Sequence, residues 1–334
     1  MPEYKTYKDL WKYCTSDQCR EMLLSLKLFG NTEWTGEKQI SCLYALSNHV
    51  EKHYHRVKIP KSSGEVRFLD VPDPLLKQVQ KNILHHVLEG FSVSPAAAAY
   101  HSGASPLANA SLHTGNRLVL KLDIHDFFGS IIFPMVLGSA FPGEYFPMPV
   151  RMLLTHLCCY KEILPQGAPT SPAISNLVMK PFDDYMSLWC QMQQITYSRY
   201  SDDMTFSGDF EPGEVIRRAG GYLHIMGMEL NRKKTRLCSN GSRQTVTGIV
   251  VNEKPQLPRD YKRRLRQEIY YCRKYGVKDH LKYSGIDNPS PEHIKTYLQS
   301  LLGKVLYLLS VNNQDCWFAE AEQYLRQELK ELIG

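Results

Sequence analysis

The sequence predicts an α+β fold in which a small antiparallel sheet is covered by helices and followed by an all-helical C-terminal part. Three observations predict it. Short apolar strand-like runs occur around tight turns, helical apolar stripes alternate with them, and beyond Pro258 only helical periodicity remains. The 334 residues suffice for a large core, and the chain reads as one multi-lobed molecule rather than a string of modules. No apolar run is long enough to span a bilayer, since residues 301–311 are broken by Lys304. The first residues carry scattered charges and no apolar signal core, so a soluble cytoplasmic protein with no membrane partner is expected. The nine cysteines show no CxxC pair and no zinc spacing with the histidines; reduced, packed thiols are expected. His53, His55, His85 and His86 read as surface or packing residues rather than ligands.

Residues 1–50 are rich in helix formers, with apolar Met22, Leu23, Leu26, Leu28 and Phe29, and should form two or three helices. Residues 54–71 read as two strands around Ser63-Gly64, carrying Lys58, Lys61 and Arg67. Residues 75–88 have apolar side chains at 75, 76, 79, 83, 84, 87 and 88, a helical stripe. Residues 94–105, with four consecutive alanines and Gly103, read as a loop. Asn109 and His113 share a face if their segment is helical. Residues 117–124 form a strongly apolar strand that delivers Asp123, followed by Asp126, Phe127 and Phe128. Alternation turns one of the two phenylalanines away from the other.

Residues 164–172 (LPQGAPTSP) make a rigid polar loop leading into a helix with Ser171 as cap and Pro172 at its first position. That helix, residues 174–189, has a core-facing apolar stripe. Residues 195–199 and 204–206 read as strands with Tyr200-Ser201-Asp202-Asp203 at the hairpin tip. Residues 220–230 read as a helix ending near Gly227, 230–237 begin a return strand, and 246–251 form another strand. After Pro258, Tyr261, Leu265, Ile269 and Cys272 make one apolar face, with Arg259, Lys262, Arg263, Arg266 and Arg273 largely elsewhere. Ser290-Pro291 starts a further helix, and a last one covers about 316–332. Residues 231–282 hold 15 Lys/Arg against 4 Asp/Glu, a local +11 that leaves the remainder at −5. Such asymmetry is the electrostatic footprint of a nucleic-acid grip; a merely solvated helix would intersperse both signs.

The acids carry the chemistry. Two divalent ions roughly 3.5–4 Å apart are the usual engine of nucleotidyl transfer and need carboxylates from more than one strand. A lone Asp-Asp pair is most often a solvated turn, and Asp123 alone could be a helix cap or turn residue. The order strand-Asp, Gln-Gly loop before a helix, Asp-Asp hairpin is far less common than any one of them. Together they read as a polymerase palm. Oxygen-only ligands point to two Mg²⁺ ions, with Mn²⁺ as a substitute. Three adjacent carboxylates repel one another, so their ionised state is favourable only beside cations.

At these residues the chain resembles reverse transcriptases: LDIHDFF, LPQGAPTSP and YSDD look like successive motifs of that family. Asn109-Ala110-Ser111-Leu112-His113 resembles the NAxxH pattern of the bacterial retron type, as do Val246-Thr247-Gly248 and Cys158-Cys159-Tyr160-Lys161. The resemblance runs from about Tyr54 to Val251, with one departure: Ser201 stands where most retron enzymes have Ala. It implies a right-hand polymerase architecture with fingers, a palm built on the antiparallel sheet, and an α-helical thumb. The expected divisions are an N-terminal helical segment on the fingers (1–50), interleaved fingers and palm (51–253), and a basic RNA-binding thumb (254–334).

The resemblance also implies roles. Asp123, Asp202 and Asp203 would hold the metals and catalyse addition of dNTPs. Arg67 would meet the triphosphate, Gln166 the nucleotide and template, and Asp126, Phe127 and Phe128 would line the nucleotide site. Phe128 would sit under the sugar and exclude a 2′-hydroxyl. Tyr200 would support the primer end, and Lys234 is the candidate general acid, with Lys233 an equally plain surface alternative. RNA contacts fall to Asn109, His113, Val246, Thr247, Gly248, Lys262, Arg263 and Arg266; for Asn109 and His113 a hydrogen-bonded structural pair is the preferred reading of the free fold, with the RNA contact as the functional alternative. A retron enzyme implies a cognate structured non-coding RNA as template and primer and synthesis from a 2′-hydroxyl. Its product is multicopy single-stranded DNA, and an effector protein from the same locus joins it in anti-phage defence. Group II intron, CRISPR-associated and abortive-infection reverse transcriptases are alternatives, the first disfavoured by the lack of a maturase or endonuclease extension. A catalytically silent RNA-binding scaffold is a further one, disfavoured by the intact acids.

Overall fold

The computed structural model describes residues 14–60 and 66–332. Lys61, the Ser63-Gly64 turn and the charged first residues lie outside them. The chain divides into two compact units: Met1–Ala104 with Leu120–Leu237, and Ser105–Val119 with Cys238–Gly334. This differs from the boundary expected at 253/254.

In the first unit, α1 (Ser16–Ser25) and α2 (Gly36–Asn48) precede the hairpin β1 (Tyr54–Pro60) and β2 (Val66–Pro72). The hairpin is antiparallel, with Ile59 opposite Arg67 and Lys58 opposite Phe68. The carboxylate of Asp73 accepts from Leu76 N and starts α3 (Pro74–His86), which bears the expected stripe. α4 (Pro106–Leu112) belongs to the second unit, and β3 (Leu118–Asp123) brings the chain back.

Two helices absent from the sequence expectations follow, α5 (Phe133–Ser139) and α6 (Met148–Cys158). Their prolines sit in the first turn, where the missing N–H would be unpaired in any case. α7 (Ser171–Met192) packs beneath the hairpin β4 (Thr196–Tyr200) and β5 (Asp203–Gly208). Its start differs from expectation: Ser171 is the first helical residue, and its hydroxyl donates to the Pro165 carbonyl (2.7 Å) instead of capping. α8 (Pro212–Ile225) begins earlier than residue 220, because Pro212 and the Glu211 side chain, which accepts from Gly213 N, make a good helix start. The return strand β6 is confined to Arg236–Ser239, since Lys234 N closes a turn onto Asn231 O.

The main sheet runs β4-β5-β3-β6. The outer side of β4 is not open: Arg199 N donates to Ala96 O (2.8 Å) and Ala98 N to Arg199 O (2.7 Å), a parallel bridge from the alanine run. Leu120, Leu122, Met204 and Phe206 from the sheet share one core with Ile174, Val178, Phe182 and Met186 of α7. Leu23, Leu43 and Leu46 of α1 and α2 join that same core, so these two helices are part of the unit and not an appendage.

In the second unit, β7 (Thr245–Val246) and β8 (Ile249–Val250) form a two-residue hairpin where a single strand was expected. Thr247 (φ 48°) and Gly248 (φ 82°) both take positive φ, the requirement of a type I′ turn. The segment 105–119 is tied here by hydrogen bonds: Thr247 Oγ1 to Pro106 O, Gly115 N to Val251 O, and Gln244 Nε2 to the carbonyls of Asn116 and Arg117. These bonds explain why the unit boundary departs from the linear reading. α9 (Arg259–Tyr275), α10 (Val277–Tyr283), α11 (Pro291–Val311) and α12 (Cys316–Glu331) complete the unit around Leu265, Ile269, Leu298, Leu301, Val305 and Phe318. Among the described residues no helix is long and apolar enough to cross a membrane.

Candidate active site

β3 ends on Asp123, and three backbone hydrogen bonds fix that end. Ile124 N donates to Asp202 O (3.1 Å), Asn231 N to Asp123 O (2.7 Å) and His125 N to Glu229 O (2.8 Å). The first of these joins the strand end to the β4–β5 tip, so acids far apart in sequence line one cleft. At the tip Tyr200 pairs with Asp203, leaving Ser201 and Asp202 as the turn, with Ser201 at φ 63°. The Tyr100 hydroxyl donates to Ser201 Oγ (2.9 Å), a contact that alanine in this position would not make.

Sequence reasoning missed the support beneath the tip. Arg199 is fully buried and clamps Asp183 of α7 through Nε to Oδ1 (2.9 Å) and Nη2 to Oδ2 (2.6 Å). Its Nη1 donates to Ser201 O (2.9 Å) and its Nη2 to Asn176 Oδ1 (3.1 Å), while Asn176 Nδ2 donates to Ala99 O (2.8 Å). The Tyr197 hydroxyl donates to Asp183 as well (2.8 Å). The available signal was an arginine within a buried strand and an aspartate beside Phe182 on a core helix; charges so placed need each other.

The electrostatics of the cleft follow from crowding. The Asp203 carboxyl is raised above the usual range by burial first, then by Asp202 and Asp123, with Lys121 and Lys234 offsetting part of the effect. Lys234 Nζ lies 2.7 Å from Asp123 Oδ2, and that hydrogen bond holds its ammonium protonated above the ordinary lysine value. Asp123 Oδ1 is buried without a hydrogen-bond partner. Among the described residues no three His, Cys, Asp or Glu side chains are gathered as a ready-made metal group. The three acids line one wall of the cleft, with the Lys234 ammonium as counter-charge.

The cleft holds about 1130 Å³ and is lined by Arg67, Asp123, Asp126, Phe127, Phe128, Gln166, Tyr200, Asp202, Asp203 and Lys234, together with Lys77 and Asn231. Phe127 is core, while Phe128 is half-buried with its ring 5.3 Å from that of Phe127. The Gln166 loop is anchored to β2 by Asp70 N donating to Gln166 O (2.9 Å). Gly167 is required there: it has φ 126°, and a Cβ would lie 2.8 Å from Asp70 O.

The expected RNA-contacting residues all lie in the second unit and outside this cleft. Asn109 and His113 are 2% and 0% exposed, and burial pushes the His113 imidazole down to about 4. Both side chains, and that of Val246, are packed inside the second unit. Gly248 is exposed and Thr247 half-buried at the hairpin turn. On α9, Arg263 and Arg266 are exposed and Lys262 half-buried. Arg263 sits 3.6 Å from Asp260, and Arg266 sits 3.6 Å from Asp315 with its guanidinium over Trp317 and Phe318.

Comparison with known proteins agrees with this geometry. The pattern of the reverse transcriptase (RNA-dependent DNA polymerase) family matches residues 59–286. The chain is 34% identical over 276 residues to the retron Mx65 reverse transcriptase of Myxococcus xanthus, covering 73% of this chain and 65% of that protein. It is 30% identical over 275 residues to the retron Ec86 reverse transcriptase of Escherichia coli, covering 78% and 85%. With the retron Ec83 reverse transcriptase of Escherichia coli the identity is 31% over 244 residues, covering 67% and 77%. The match thus spans slightly less than two thirds of the Mx65 protein's length. The acids on two strand ends, the anchored Gln-Gly loop and these similarities place the chain in the retron branch of the reverse transcriptase family.

Proposed function

We propose that the chain synthesises DNA on an RNA template by adding deoxynucleotides to a primer hydroxyl with Mg²⁺. The observation that carries this reading is the meeting of Asp123, from the end of β3, with Asp202 and Asp203, from the β4–β5 tip, in one cleft. The residues fit divalent ions: their donors are all oxygen, Asp123 Oδ1 is buried and unpartnered, and the charge on Asp203 is disfavoured by burial first and then by Asp202 and Asp123. Bound there, a pair of ions supplies a lowered pKa at the attacking hydroxyl and neutralisation of the departing pyrophosphate.

The chain's own groups do the rest. Arg67 offers its guanidinium to the triphosphate, and Gln166, held by its loop's bond to β2, positions the nucleotide against the template. Phe128 closes the space beside the sugar C2′, so a 2′-hydroxyl collides with its ring. Tyr200 supports the primer end, and Lys234 keeps a proton on Nζ as donor to pyrophosphate. In the retron reading the RNA is a cognate structured non-coding RNA that is both template and primer. DNA starts from one of its 2′-hydroxyls to give multicopy single-stranded DNA, and an effector protein shares the task of anti-phage defence in the bacterial cytoplasm. Similarity to the retron enzymes supports that extension. The +11 stretch at residues 231–282 supports an RNA grip through phosphate and 2′-hydroxyl contacts.

Asp202→Asn tests the core of the proposal. Mg²⁺-dependent primer extension should vanish while RNA affinity stays within about twofold, since phosphate contacts do not involve the tip. Undiminished extension by the variant would remove Asp202 from the metal site.

A further inference from the structure

We propose that tyrosines of α9 and α10 form a stacking site for unpaired RNA bases. Tyr271, Tyr275, Asp279, His280 and Tyr283 line a cleft of about 520 Å³ within the second unit. Tyr275 is 54% exposed, Tyr283 94%, and the neighbouring Tyr270 51%. A ring left 94% exposed buries almost nothing against its own fold, so packing gives no reason for tyrosine at 283.

The rings are ordered in a chain. Tyr271 is 5.7 Å from Tyr270, 6.1 Å from Tyr275 and 5.8 Å from His280, centroid to centroid. His280 continues to Tyr297 at 6.0 Å, where its Nε2 lies 3.1 Å from the Tyr297 hydroxyl. The inner members are thus held in place by contacts, while the outer faces are open to solvent. Cations accompany them. Lys274 Nζ lies 5.7 Å from the Tyr270 ring and 5.2 Å from that of Tyr275. Between residues 270 and 283 four Lys/Arg stand against one acid, Asp279, which Lys282 neutralises at 3.0 Å.

Open aromatic faces beside ammonium groups match a nucleotide: the base stacks on the ring and the phosphate meets the cation. The chemistry selects unpaired bases, because a duplex keeps its base faces stacked inside and presents backbone. An apolar protein surface fits less well, since docking would strip water from the lysines without pairing them. The inference rests on the reading of this unit as the RNA grip, but not on catalysis.

The test uses the whole protein and two probes, a short single-stranded oligoriboadenylate and a blunt RNA duplex of equal length, followed by fluorescence anisotropy at fixed salt. Tyr275→Ala with Tyr283→Ala should weaken oligoriboadenylate binding about tenfold or more, a modest share of what base–aromatic stacking contributes. Tyr275→Phe with Tyr283→Phe keeps the rings and should stay within about twofold of the parent. Duplex affinity should be unchanged in both, and so should DNA synthesis on a simple primed template. Both variants alter exposed side chains and should melt with the parent; if the alanine pair does not, a loss of oligoriboadenylate affinity in the stably folded phenylalanine pair would overturn the proposal. Parent-like oligoriboadenylate binding by the alanine pair would also overturn it, leaving the patch to a protein partner. An equal loss on duplex would overturn it too, as a general loss of grip. An active Asp202→Asn enzyme, by contrast, would undo the metal assignment and leave this measurement untouched.

Discussion

Replacing Arg199 by methionine should cost about 3–5 kcal/mol of stability, because it strands a carboxylate in the core. Both Arg199 and Asp183 side chains are 0% exposed, and their contacts at 2.9 and 2.6 Å form a two-pronged clamp. With the guanidinium gone, Asp183 keeps, among the described residues, the Tyr197 hydroxyl at 2.8 Å, far short of what a buried anion needs. Asp183→Leu alone strands the cation instead and should cost a similar amount. The double variant removes both charges together and should lose much less than the sum, giving a coupling on the order of 3 kcal/mol. Urea unfolding of the parent, both single variants and the double variant, compared at equal m-values, measures it. DNA synthesis adds a second readout. Even when folded, the double variant should synthesise more slowly, because Arg199 Nη1 also holds the Ser201 carbonyl at the tip. Additive single costs, or a loss below about 1 kcal/mol for Arg199→Met, would refute the claim that this pair supports the acid-bearing hairpin.

Three further outcomes are expected. Phe128→Ala should admit ribonucleotides during primer extension, read as a fall in the dNTP-to-rNTP ratio of kcat/KM; an unchanged ratio would return Phe128 to a packing role. Reversing charge at Lys262, Arg263 and Arg266 together should weaken RNA affinity and flatten its dependence on salt by up to about three phosphate equivalents, less whatever Arg266 already commits to Asp315. A salt slope equal to the parent's would mean that this face is only solvated. His113, lowered from 6.5 to about 4 by burial, should make stability fall as pH drops through that window, because the unfolded chain binds a proton the folded chain refuses. The loss should approach about 3 kcal/mol near the lower end, and His113→Asn should remove that part of the slope. Parallel pH profiles for parent and variant would count against it.

The acid-bearing elements were legible because their signals are local. An apolar run ending in Asp123, a Pro-Gly-rich loop and an Asp-Asp turn each announce themselves within ten residues, and all three reach the same cleft. What stayed hidden depends on partners distant in sequence. The Arg199–Asp183 clamp joins a strand to a helix, and the association of residues 105–119 with the C-terminal unit rests on bonds such as Thr247 to Pro106. Helices α5 and α6 were missed because proline is read as a breaker unless its place in the first turn is known. The Val246-Thr247-Gly248 triplet was seen as a motif, but its physical content, two positive φ angles at a turn, needed coordinates. At Asn109 and His113 the helical spacing suggested a structural pair, but the depth of their burial needed coordinates, since polar residues at that spacing suit a surface as well as a core.

The alanine segment alongside β4 has a consequence for the protein's behaviour in a crowded cell. A strand at the border of a sheet displays unsatisfied amides that recruit other chains and seed aggregates. Here the peptide groups of Arg199 are taken by Ala96 and Ala98 of the same molecule, so the catalytic sheet offers no template at that point. The small side chains let the backbone come that close. Bulkier substitutions at Ala97, which is 1% exposed, should therefore show themselves as lost solubility on expression before any fault in the chemistry.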